Sequence, residues 1–242
     1  MPLSRATLGA VLRAALVAGV LAALAAALFH LVASEPLIER AIALEEQMHG
    51  AAAAHEEPIV GRDVQRVGLF IGFLAYGLSL SLLFSVAFHA AQRWLPGRGP
   101  AARGALLALA AYAATALFPF AKYPANPPGV GDPETVGYRQ ALYLGAITLS
   151  IVGTAVALAL ARRGWPRGAA FLVLFAAGLY AALPANPDPV PVLPELLLPF
   201  RALSLGGLTL FWAVFGAAFA WIIRGAALEA AAPAAAVEGR RA

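Results

Sequence analysis

Apolar runs of about twenty residues alternate along this chain with shorter stretches of proline, glycine and charge. The runs are built of Ala, Leu, Val, Phe and Gly and show no alternation of period two, so they predict helices rather than strands. Such lengths cannot be hidden in a water-soluble core. In hydrocarbon every backbone polar group needs an internal partner, and a helix supplies one. Six spans follow, at 8–33, 67–91, 102–120, 140–161, 169–183 and 202–223. The fifth is the shortest, weakened by Gly178 and Pro184, and leaves open a five-span alternative in which it re-enters the membrane. Arg5 and Arg13 before the first run have the look of a signal peptide. The apolar length from Ala14 to Ala33 instead suits an uncleaved anchor helix, with cleavage after it as the alternative. Residues 1–225 thus read as a single integral membrane domain of all-α class, and the Ala-rich 226–242, with Pro233, as a disordered cytoplasmic tail.

A phrase is repeated where spans stop. Pro-Ala-Asn-Pro occurs at Pro124–Pro127 and again at Pro184–Pro187, and each copy is followed by an arginine that opens the next span, Arg139 and Arg201. Arg66 opens the second span in the same way, and a glycine lies six positions after each arginine, at Gly72, Gly145 and Gly207. The pattern predicts three helical hairpins in parallel repeat.

Composition agrees with the pattern: 61% of residues are hydrophobic and 12% charged, where a soluble domain carries about 25% charged residues. The net charge of +4 suggests nucleic acid only until the charges are placed. One side of the membrane receives both termini and the loops after spans two and four. It holds eleven bases and two acids, against six bases and eleven acids on the other. That asymmetry puts both termini in the cytoplasm, the three longer loops outside, and an even number of spans between them. No nucleic-acid partner is implied. There is no cysteine, hence no disulfide and no thiolate metal site.

Two groups of residues carry candidate chemistry. Glu45, Glu46, Met48, His49, His55, Glu56 and Glu57 crowd the first outer loop, and imidazole with carboxylate suits divalent first-row metals. Below them, His30 near the end of span one and Glu35 just after it extend the set. A solvated acidic loop is the alternative. The second group is Asn126, Asn186, Arg66, Arg139 and Arg201. Prolines end the spans there, and amide and guanidinium groups can pair with freed carbonyls. These residues either line the mouth of an ion path or only cap loops and anchor the interface. Gly68 and Gly72 form a GxxxG pair suited to helix association. Phosphate-binding loops, HExxH and Ser/His/Asp arrangements are missing, so the sequence does not read as an enzyme.

The stretch FPFAKYPANPPGVGDPETVGYRQALYLG resembles the CbtA-type membrane subunit of predicted cobalt transporters. So do the first helix, the Glu/His loop and the arginine opening the second helix, and the likeness extends to about Ile223. The family's acidic-glycine turn is altered here to Val60-Gly61-Arg62-Asp63. The resemblance implies cobalt uptake linked to cobalamin synthesis, Co²⁺ as transported ligand with no permanently bound cofactor, and a small single-span CbtB-type partner. With the charge map it implies a multi-pass protein of the bacterial inner membrane. A scaffold or assembly protein that binds a partner through its outer loops is the rival reading.

Overall fold

The computed structural model describes residues 6–49, 61–95, 99–127, 130–188, 190 and 194–238, with side chains omitted at 44–49, 194 and 227–238. Its helices are α1 (Leu8–Phe29), α2 (Glu35–His49), α3 (Arg62–Ala91), α4 (Pro100–Tyr112), α5 (Phe118–Lys122), α6 (Val136–Ala161), α7 (Trp165–Ala182) and α8 (Pro194–Glu238). A π-helical turn at His30–Ser34 joins α1 to α2, and another at Ala113–Leu117 joins α4 to α5. Six helical segments are long and apolar enough to cross a membrane: Leu8–Ala43, Arg62–Ala91, Pro100–Lys122, Pro133–Ala161, Trp165–Ala182 and Glu195–Ala226. The fifth is a full helix of 18 residues, long enough to span. Helix α8 continues to Glu238, through a run of alanine, the best helix former.

Local chemistry sets the ends of these helices. Thr7 caps α1 by accepting from the Ala10 amide, and Pro100 begins α4, where a missing N–H costs nothing. Ahead of α6, the Asp132 side chain accepts from the Glu134 amide. Gly164, at φ 145°, makes the tight turn into α7.

Small residues bring the first two spans together. The backbones of α1 and α3 meet at Gly19 and Gly77, where a Cβ added to either would lie 2.6 Å from the other's carbonyl oxygen. Ser81 seals the crossing, with its hydroxyl 2.7 Å from the Gly77 carbonyl and 2.8 Å from that of Ala15. Gly68 and Gly72, expected to be the association face, meet nothing within 4 Å. The close approach uses Gly77, further along the helix, which lies against Gly19 and Ala23 of α1. On its other side α1 packs against α8. Phe84 and Phe88 of α3 meet Phe215 and Phe219 of α8 edge to face, at ring separations of 4.9–5.1 Å.

Neighbouring spans run in the order second, first, sixth, third, fourth, fifth. The first expected hairpin is tightly packed, and the second is packed along the π turn and α5. Among the described residues the fifth and sixth spans share no extended contact, so the third pair is a hairpin only in connectivity. The tight Arg162–Gly164 turn holds α7 against α6, and Gly153 receives the Phe175 ring there. The longer connection after α7 lets α8 return to the centre, between α1 and α4.

Candidate functional site

The acid-rich end of the bundle holds two polar constructions. In the first, Glu35 is 15% exposed and accepts from Arg62 Nη2 at 2.7 Å and Arg66 Nε at 2.9 Å. Arg66 also reaches Glu39 at 2.9 Å and lies 3.5 Å from Asp63. The carboxylate expected to face a metal is therefore occupied by guanidinium. His30 bonds Ser34 within its own π turn at 2.8 Å, stacks on Phe73 and rests its ring on Gly207. A side chain at 207 would collide with that imidazole, which gives one of the repeat glycines a packing reason. Gly72 and Gly145, its counterparts, face open space.

The side chains of Glu45, Glu46 and His49 lie outside the described residues, as do His55, Glu56 and Glu57 in full. Among the described residues no three His, Asp or Glu side chains converge on one point.

The second construction joins the two Pro-Ala-Asn-Pro loops. Arg139, which opens α6, reaches across to Asp188, directly after the second copy; their Nε–Oδ2 distance is 3.1 Å. The pair is electrostatic, since Nε is not aimed to hydrogen-bond. Asp188 is 6% exposed and also accepts from the Asp132 amide at 3.0 Å and the Thr135 hydroxyl at 2.8 Å. In return Arg201, which opens the sixth span, donates to Asn126 Oδ1 at 2.9 Å and the Ala125 carbonyl at 3.3 Å, both in the first copy. Gly131, at φ 107°, lies flat against the Arg139 guanidinium, and a Cβ would come within 2.7 Å of its central carbon. Tyr123 ties the loops once more by donating to the Pro184 carbonyl at 2.8 Å. Burial, with Tyr138 adding to it, raises the Tyr123 pKa, so the hydroxyl keeps its proton and its donor role.

Between these loops lies a cavity of about 570 Å³ whose walls include Asn126, Asn186, Arg139, Gln140, Tyr123 and Tyr143. The structure thus brings together three of the residues singled out from the repeat, Asn126, Asn186 and Arg139. Arg201 stands behind them, and Arg66 belongs to the other construction. Sequence reasoning missed Asp188. Its signal was available as the acid immediately after the second tetrapeptide, matched by Asp132 after the first.

A second cavity, of about 520 Å³ and mostly apolar, lies in the other half of the membrane, walled by Phe84, Leu107, Thr154, Leu158, Arg162 and Trp212 among others. Both cavities share one face of α6. Gln140 and Tyr143 line the first, and Ile151, Thr154, Leu158 and Arg162 line the second. These positions fall at steps of three and four, with Ile147 in the gap, so they form one stripe about 33 Å long. Beside it lie two unusual hydroxyls. Ser81, Ser85, Thr115, Thr148, Ser204 and Thr209 each donate to the carbonyl four residues back. Ser150 and Thr154 are buried and have no partner among the described residues. An unpaired hydroxyl in a low-dielectric interior costs about 1–3 kcal/mol.

A family model described as "Probable cobalt transporter subunit (CbtA)" matches residues 8–224 of the chain. No curated protein and no solved structure matches it.

Proposed function

The chain belongs to the CbtA family of probable cobalt transporter subunits, and on that premise we propose that it carries Co²⁺ inward along the striped face of α6. The observation behind this route is the alignment of two cavities on one helix face, with the Thr154 hydroxyl in the wall of the second and the Ser150 hydroxyl one turn before it. Hydroxyl oxygens suit a cation that is losing its water, and the hydrocarbon around them offers no competing donor.

In this reading both termini are cytoplasmic in a bacterial inner membrane, because eleven of the seventeen bases sit at that end. The acid-rich end then faces outward, and its Glu/His loop, with Glu45, Glu46, His49, His55, Glu56 and Glu57, raises the local concentration of divalent cations. A small single-span partner of the CbtB type completes the transporter, and the cobalt serves cobalamin synthesis.

The absence of native cysteine makes the route testable. Single cysteines at Ile147, Ile151, Thr154 and Leu158 should react with a small cationic thiol reagent, and cobalt should protect them. Cysteines at Leu149 and Val156, which line neither cavity, should be indifferent to cobalt. Equal behaviour of the two sets removes the route. Cobalt accumulation no greater than in cells lacking the chain, with the partner co-expressed, removes the transport function itself.

A further inference from the structure

We infer that the cavity between the two Pro-Ala-Asn-Pro loops binds a small carboxylate anion or its metal chelate, not a bare cation. The inference deepens the transport reading above and rests on it for the identity of the metal. It starts from the orientation of two amides. Asn126 Oδ1 accepts from Arg201, and Asn186 Oδ1 accepts from the Asp188 amide at 3.2 Å. Those bonds fix which end of each side chain is oxygen. The unspent atoms are therefore the two Nδ2 groups, neither of which has a protein partner among the described residues. They belong to loops sixty residues apart and line the same cavity.

Gln140 and Arg139 add donors to these walls, beside the acceptor oxygens of Gln140 and Tyr123. Gln140 makes no hydrogen bond to another described residue and contributes a third amide. Arg139 spends one terminal nitrogen on the Asp132 carbonyl, at 3.1 Å, and leaves its Nη1 without an acceptor. Tyr123 has already donated its proton to Pro184. No carboxylate or imidazole is among the described lining residues. Asp188, the acid paired with Arg139, is buried against Arg139, Thr135 and the Asp132 amide. N–H groups cannot coordinate a metal ion. They bind acceptors, and a planar carboxylate matches paired amide donors beside a guanidinium.

Exchanging oxygen for nitrogen at these two positions tests the inference with little disturbance. Asn126→Asp keeps the acceptor that Arg201 needs, and Asn186→Asp keeps the one the Asp188 amide needs. Both replace the outward donor with a negative oxygen. Radiolabelled citrate, alone and as its Co²⁺ chelate, is titrated into the purified full-length chain in detergent. Wild type should bind both saturably, with excess unlabelled citrate displacing the label and an equimolar non-chelating chloride salt of Co²⁺ failing to do so. The N126D/N186D variant should bind at least tenfold more weakly while eluting as wild type in gel filtration. Gln140→Glu, on an exposed side chain with no internal contact, should weaken binding in the same direction without touching the loop frame. Absence of saturable binding to wild type overturns the inference, and so does unchanged binding in both variants. Cobalt accumulation in cells is scored separately. Accumulation without citrate binding leaves transport standing and removes this site, whereas binding without accumulation does the reverse.

Discussion

The three repeat arginines hold corresponding places in the sequence and do different work in the fold. Arg66 stays within its own hairpin, clamping Glu35 and Glu39 from the preceding helix. Arg139 and Arg201 exchange partners: the arginine of the second hairpin holds the loop of the third, and that of the third holds the loop of the second. The first arrangement closes on itself. The second ties two loops into a frame, and the frame surrounds a cavity. The difference follows from the loops. Glu35 sits in a helix that continues α1 past the membrane surface, beside the start of α3. The Pro-Ala-Asn-Pro loops have no helix of that kind, so their carbonyls and amides take donors from the neighbouring repeat.

Asp188→Ala should do the most harm, because it strands a half-buried guanidinium and removes the acceptor of an amide and a hydroxyl. The loss should be about 3 kcal/mol, read as a fall in melting temperature in detergent. Gly131→Ala should cost roughly 2 kcal/mol, since it places a side chain at φ 107° and against Arg139. Combining it with Arg139→Gln should relieve the steric part and leave the backbone part, a non-additivity that a thermal-melt double-mutant cycle would reveal. Arg201→Gln removes two hydrogen bonds at a partly exposed site and should cost about 1 kcal/mol. Because it also frees the Asn126 amide to turn over, it should weaken citrate binding more than its effect on stability suggests. The smallest response belongs to Arg66→Gln. Arg62 still holds Glu35, and the other partners are open to water, Glu39 being 54% exposed. Its melting temperature should stay within the scatter of replicates. A fall as large as that of Asp188→Ala would show that the self-closed clamp is as structural as the exchanged one.

Much of this molecule was readable before its fold. Span number came from apolar length, which bilayer thickness enforces regardless of packing. The exchange of partners was half visible, in the repeated tetrapeptide and the arginine that follows each copy. The acid completing it, Asp188, was not legible as a partner, because nothing local says which loop it faces. The GxxxG pair at Gly68 and Gly72 misled for a related reason. Spacing shows that a face is small and leaves open whether a second helix lies against it, whereas Gly19 and Gly77 meet because α1 presents alanine there.

The sequence by itself determined the solvent, the class of fold and the number of crossings, since each follows from how many consecutive apolar residues the chain contains. It also determined the sorting of charge between the two ends. Tertiary structure alone decided which spans touch, with the sixth inserted between the first and third and the fifth left on the fourth. It alone turned Asn126 and Asn186 so that their oxygens face inward to donors and their nitrogens remain unspent. Both decisions depend on contacts between residues far apart in the chain, and no local pattern carries those.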